Sequence, residues 1–226
     1  MKPYQCLELI RSSGVIAILR LKNAEGNATA GANALLSAAE AIRAGGIRAI
    51  EVTLNTPGAL ALIEKASAHF DGSIRNDHCV AFGAGTVLDA SSARAAILAG
   101  AQFIVAPTLK AEVIELCRRY SVPVFPGAYT PTEILTAWEL GADMVKVFPA
   151  SIGGPAFIKA IKAPLPQIEL IPVGGVTLEN TADFLRAGAS AVGVGGELLD
   201  PQLIQSEAWP ALTERARRFA QAAQRT

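Results

Sequence analysis

The chain has 226 residues, 51% of them hydrophobic, enough to bury one large core as a barrel or to form two small domains. Twenty Lys and Arg residues balance twenty Asp and Glu, so no net field favours nucleic acid or an anionic membrane, and an anionic ligand would have to be held by local features. The three cysteines, Cys6, Cys79 and Cys117, are odd in number and lack CxxC spacing. That argues against a disulfide framework or a zinc site and for reduced, buried thiols in a cytoplasmic protein. The N-terminal stretch MKPYQCLELIRSSG is mixed in polarity, and no apolar run approaches the roughly 20 residues of a membrane span, so a soluble chain without a signal peptide is expected.

In chain order, the pattern predicts a short amphipathic helix at Tyr4 to Arg11 and a buried strand, VIAILR, at Val15 to Arg20. A helix at Ala28 to Ala44 closes on Gly45-Gly46. The strand AIEVTL (Ala49 to Leu54) has Glu51 inside it. A helix at Ala59 to His69, a surface loop at Asp71 to Asp77, the strand Val80 to Val87 carrying GAGT, and a helix at Ser91 to Leu98 follow. Strands at Phe103 to Pro107, Val122 to Gly127, Met144 to Pro149, Glu169 to Gly175 and Ala191 to Gly196 then alternate with helices at Lys110 to Tyr120, Pro131 to Leu140, Pro155 to Ile161 and Glu179 to Ala187, and a last helix spans Ala208 to Ala223. Eight apolar strands each followed by a helix, with no linker or composition shift between them, predict a single-domain (β/α)8 barrel over residues 1–226, preceded by its short helix. The competing architecture is a doubly wound open sheet, which the absence of GxGxxG after the first strand disfavours.

Lys146 stands inside the apolar run ADMVKVFPA, where an ammonium is costly to bury and tends to lose its proton, leaving an amine able to attack a carbonyl. The bland alternative is a strand-end lysine that snorkels to solvent. Glu51 is equally out of place in its strand. Pointing both into one barrel mouth gives either a structural ion pair tying the second and sixth strands or the acid/base partner that Schiff-base chemistry requires. Arg20 could pair with a substrate carboxylate or hold Glu51. Thr86 follows Gly83-Ala84-Gly85, where glycines serve either a close ligand approach or a tight turn. Gly174-Gly175 and Gly195-Gly196, after the last two strands, could offer backbone donors to a phosphate at a helix N-terminus. His69 and His78 lack ligand spacing and suit the surface, Trp138 and Trp209 suit packing or subunit contacts, and no GxSxG serine is present.

These residues carry a resemblance over nearly the whole chain. GVIAILR, IEVTLNTPGA, GAGTVLDA, FIVAPTL, FPGAYTPTEI with VKVFPA, PVGGVTLEN and AVGVGGELL together resemble the bacterial 2-keto-3-deoxy-6-phosphogluconate / 4-hydroxy-2-oxoglutarate aldolases, a class I family. The resemblance implies a Schiff-base lysine at Lys146, a general acid/base at Glu51, and a threonine contacting the pyruvate moiety at Thr86. It also implies a pocket shaped by Pro107 and Phe148 and a basic group on the substrate acid at Arg20. A homotrimer, a role in carbohydrate metabolism of the Entner-Doudoroff type, and no metal or other cofactor are implied as well. Two positions depart from the pattern of phosphogluconate-specific members. Asn55 stands where many have arginine, as in the related 2-dehydro-3-deoxy-6-phosphogalactonate aldolases, although Thr53 replaces the proline of those proteins. Gly196 stands where a serine is common.

The expectation is therefore a class I aldolase that reversibly cleaves such a keto acid into pyruvate and an aldehyde, glyceraldehyde 3-phosphate or glyoxylate. The galactonate aldolase, a phosphate-binding epimerase or isomerase using Glu51 as base, and a catalytically silent keto-acid binder are the alternatives.

Overall fold

The computed structural model describes residues 1–20, 28–70 and 79–224; the loop expected at Asp71 to Asp77 and His78 lie outside them. The elements run α1 (Pro3–Ser13), β1 (Val15–Leu19), α2 (Ala28–Ala44), β2 (Ala49–Thr53), α3 (Ala59–His69), β3 (Ala81–Gly85), α4 (Ala90–Leu98), β4 (Ile104–Val105), α5 (Ala111–Arg119), β5 (Val124–Phe125), β6 (Gly127–Ala128), α6 (Pro131–Glu139), β7 (Val145–Val147), α7 (Gly154–Lys162), β8 (Leu170–Pro172), α8 (Leu178–Arg186), β9 (Val192–Val194), α9 (Pro201–Gln205) and α10 (Trp209–Ala222).

All pairings among the described residues are parallel. One sheet runs β5-β4-β3-β2-β1-β9 and a second β6-β7-β8, with a parallel bridge between Val173 and Gly193 joining β8 to β9. β5 and β6 are two halves of one stave, broken where Pro126 has no N–H to give. The break does not open the wall, because Asp143 N–H donates to Val124 O at 3.2 Å and Lys146 N–H to Pro126 O at 2.9 Å. The result is a closed (β/α)8 barrel. The fifth strand, expected unbroken from Val122 to Gly127, and α9, which was not expected, are the two differences in element count. The short α9 has too little periodicity to be seen in sequence, but Asp200 caps it by accepting from Gln202 N–H at 2.9 Å.

Alternation along each strand divides the core into two layers. The outward residues of β1, Val15, Ala17 and Leu19, join the helices in one cluster. The inward Ile16 and Ile18 join Ala49, Ala81, Phe103, Val105, Phe125, Met144, Ile171, Val173 and Ala191 in a second cluster with Cys6, Leu9 and Ile10 of α1. Because Ala49, Ala81, Met144 and Ala191 lie at the starts of their strands, α1 closes the N-terminal end of the barrel. Arg11 fastens it there through a two-pronged pair with Glu169, at 2.9 and 2.6 Å. The open end is therefore the C-terminal one, where barrel enzymes place their sites.

One sequence signature proves to be architectural. In YTPTE, Thr130 caps α6 and Glu133 reaches back to the Thr130 N–H at 2.9 Å, a capping box with Pro131 in the first turn.

Candidate active site

Glu51 on β2 and Lys146 on β7 come from staves on opposite sides of the barrel, and both line one cavity with Ile16, Val105, Phe125, Ile171, Val173 and Gly193. The cavity has ≈ 210 Å³ of space counting its open mouth. Glu51 is 2% and Lys146 6% exposed, so the lysine does not snorkel. Nor do the two form a structural tie: among the described residues no ion pair within 4.0 Å joins them. Two buried, oppositely charged groups facing one space without touching is a poor device for stability and a suitable one for holding something between them.

Burial drives the Glu51 carboxyl above the usual carboxylate range, while the charges of Lys146 and Arg20 pull it back down. A raised carboxyl can give a proton as well as take one. Arg20 is exposed at the end of β1 and forms no ion pair with Glu51 among the described residues, so it acts on that carboxyl by its field alone. The Nζ of Lys146 sits 5.1 Å from the centroid of the Phe148 ring, and that ring, 41% exposed, stands at the mouth with Gly174 against it.

Thr86, half-buried at the end of β3, has φ 59°. A β-branched residue in the left-handed region is an outlier that costs on the order of 1–3 kcal/mol and is commonly found at functional sites. The carbonyl of Pro107 packs against Gly127, where a side chain would overlap it, and Gly127 is in register with Lys146. Asn55 is exposed beyond β2 and does not line the cavity.

The glycines after β8 and β9 differ from expectation. Gly174 and Gly175 adopt φ 88° and 78°, and a side chain at Gly195 or Gly196 would begin in open space. The helix N-termini beyond them already carry caps of their own. Thr177 accepts from Asn180 N–H at the start of α8, and Asp200 brings a carboxylate to the start of α9. A phosphate there would meet loop glycines rather than a bare helix end.

The remaining candidates fall outside the cavity. His69 pairs with Glu40 at 3.2 Å on the surface, and Trp138 and Trp209 pack on the outer core. Burial pushes the Cys6 and Cys117 thiols up to about 12, which makes them packing groups rather than nucleophiles. Among the described residues no three or more His, Cys, Asp and Glu side chains gather as a metal site would require, and no helix is long and apolar enough to cross a membrane.

A barrel with an amine and a carboxyl facing each other across its interior is built for carbonyl chemistry. Comparison with known proteins places the chain within that class. Residues 7–215 match the model of the KDPG and KHG aldolase family, and the chain belongs to that family. It is 38% identical over 187 residues to the 2-dehydro-3-deoxy-phosphogluconate aldolase of Pseudomonas aeruginosa, covering 82% of this chain and 81% of that one. It is 41% identical over 155 residues to the 2-dehydro-3-deoxy-6-phosphogalactonate aldolase of Escherichia coli, covering 68% and 72%. A structure of KDPG aldolase from Legionella pneumophila, with pyruvate captured as a covalent carbinolamine intermediate, superposes with a TM-score of 0.82 at 28% identity, covering 94% of this chain and 96% of that one.

Proposed function

We propose that this chain is a class I aldolase that reversibly cleaves 2-keto-3-deoxy-6-phosphogluconate, or 4-hydroxy-2-oxoglutarate, into pyruvate and an aldehyde. The observation that carries the reading is the pair Lys146 and Glu51, buried on opposite walls of one cavity with no ion pair between them. The Lys146 amine adds to the C2 carbonyl, and the carbinolamine loses water to give a protonated imine. Glu51, acting through a water, takes the proton of the C4 hydroxyl as the C3–C4 bond breaks; the bonding electrons flow into the imine, leaving an enamine and releasing the aldehyde. The proton returns to C3, water adds to the imine, and pyruvate leaves with the amine restored. Thr86 would contact the pyruvate moiety, Pro107 and Phe148 would shape the pocket around the imine, and Arg20 would meet the substrate acid. Asn55 with Gly174, Gly175, Gly195 and Gly196 would serve the distal end.

No cofactor or metal takes part in these steps. The assembly we propose is a homotrimer of single-domain protomers, as the family resemblance implies, and buried thiols at Cys6, Cys79 and Cys117 suit the reducing cytoplasm. A second reading, cleavage of 2-dehydro-3-deoxy-6-phosphogalactonate, is favoured by Asn55 and by the identity to the Escherichia coli relative. The test is pyruvate release from each of the three keto acids, with Lys146→Met as the control. Release that persists undiminished in Lys146→Met would exclude the Schiff-base mechanism, and no release from any of the three by the unsubstituted protein would reopen a phosphate-binding epimerase or isomerase.

A further inference from the structure

The inner wall of the barrel carries glycines at four described positions, Gly83, Gly85, Gly127 and Gly193, the last of which lines the cavity, and each is small for a different reason. A side chain at Gly83 would overlap the Phe103 ring, one at Gly127 the Pro107 carbonyl, and one at Gly193 would come within 2.7 Å of Val173 Cγ2. These neighbours are packed rings, backbone and branched aliphatics, and they have nowhere to go. Gly85 differs: the space its missing side chain leaves is filled by the carboxylate of Glu51, whose Cγ lies 2.5 Å from where a Cβ would stand.

The two simpler explanations of this glycine fail. Gly85 is not among the glycines with left-handed φ, so its backbone would suit any residue and no turn demands it. A ligand does not need the space either, because Glu51 occupies it. Register makes the relation more telling. Glu51 pairs with Gly83, and Thr53 pairs with Gly85, so the Glu51 side chain leans one inward position along the barrel toward its open mouth and comes to rest on Gly85. The backbone beneath cannot retreat, since Leu54 N–H donates to Gly85 O at 2.8 Å.

We infer that Gly85 is a positioning residue for the reaction: its bare Cα is the seat that lets the Glu51 carboxylate lean into the cavity opposite Lys146. It touches no reacting atom and acts only through Glu51. A methyl group at 85 meets a side chain that borders the cavity rather than a packed wall, so the carboxylate moves and the fold does not. This inference rests on the acid/base role given to Glu51 under the proposed function.

The experiment uses Gly85→Ala, Glu51→Asp and the double variant, read by steady-state kinetics, thermal unfolding and pyruvate-plus-borohydride labelling of Lys146. Gly85→Ala is expected to lose about 10²-fold in kcat, with its Tm and the labelling of Lys146 close to those of the unsubstituted protein, and with the acidic limb of its pH profile displaced. Each change by itself takes the carboxylate out of its place opposite Lys146, so the two losses should not multiply in the double variant. If Gly85→Ala alone fails to fold, recovery of folding when Glu51→Ala is added, which removes every crowding atom, supports the seat, and failure of both overturns it. Turnover of Gly85→Ala within about twofold of normal, multiplying losses, or labelling lost from a folded Gly85→Ala would each overturn it too. Absence of labelling in the unsubstituted protein would instead sink the Schiff-base reading on which the inference stands.

Discussion

The floor of the barrel and the layer above it are built on the same strands two residues apart, and they are opposites. On β2 the inward residue changes from Ala49 to Glu51, on β3 from Ala81 to Gly83, and on the sixth stave from Met144 to Lys146. On the floor, small and apolar residues leave room for Cys6, Leu9 and Ile10 of α1, and the interior is sealed. One layer up, the same walls carry two charged groups that do not touch and that open onto a cavity. The comparison teaches that a single alternation serves both ends: stability is concentrated where α1 fills the barrel, and that surplus supports a layer that is itself a burden to the fold.

The strongest way to break this contrast is Glu51→Gln. Turnover is expected to fall by about 10²–10⁴-fold, since shape is kept and proton transfer lost. Stability should move the other way, with a sign that follows from linkage. The carboxyl of Glu51 is raised in the folded chain, so ionising it disfavours the folded state at pH above the unfolded value of about 4.3, and the penalty vanishes below it. Glu51→Gln should therefore raise Tm at neutral pH, by about 2–4 °C for each kcal/mol relieved, and the gain should fade as the pH is lowered through the carboxylate range. A Tm that falls at neutral pH would show that Glu51 is structural after all.

Ile10→Ala probes the floor. Ile10 is fully buried, and removing it should cost about 2–5 kcal/mol of stability in denaturant titrations. Per folded molecule, kcat should stay unchanged, because α1 does not line the cavity. A kcat that drops with the stability would erase the distinction between the two layers.

The smallest effect concerns the distal end of the substrate. Loop glycines can hold a dianion without a side-chain cation, but Asp200 stands nearby at the start of α9, so dependence on phosphate should be modest. Phosphorylated substrates are expected to be preferred by about one to two powers of ten in kcat/KM, roughly 1.4–2.7 kcal/mol at 1.36 kcal/mol per tenfold. Equal values for 2-keto-3-deoxy-6-phosphogluconate and its unphosphorylated form would move the assignment toward 4-hydroxy-2-oxoglutarate or an unphosphorylated sugar acid.

Much of this was legible in the residues. Two helices, at Ala28–Ala44 and Ala59–His69, have the expected limits, the first because its apolar period and its closing Gly45-Gly46 agree, the second from its apolar period. Lys146 and Glu51 stood out because charge in an apolar strand has few explanations. What sequence could not supply was relation across the barrel. The break at Pro126 looks like any strand proline until the Lys146 N–H is seen to find its carbonyl. The role of Gly85 was hidden because a glycine in GAGT shows freedom or smallness, not which side chain uses the space, and register was needed to reveal it. Helix N-termini near the distal glycines seemed available because caps such as Thr177 and Asp200 cannot be told from ordinary polar residues without the turns they close.

The central claim, that Lys146 is a nucleophile held apart from Glu51 across a cavity, is tested most directly by mass spectrometry after incubation with pyruvate and borohydride. The account predicts one reduced pyruvyl adduct, mapped to the peptide containing Lys146 and absent from folded Lys146→Met. An adduct on any other residue, or none on the folded protein, would contradict it.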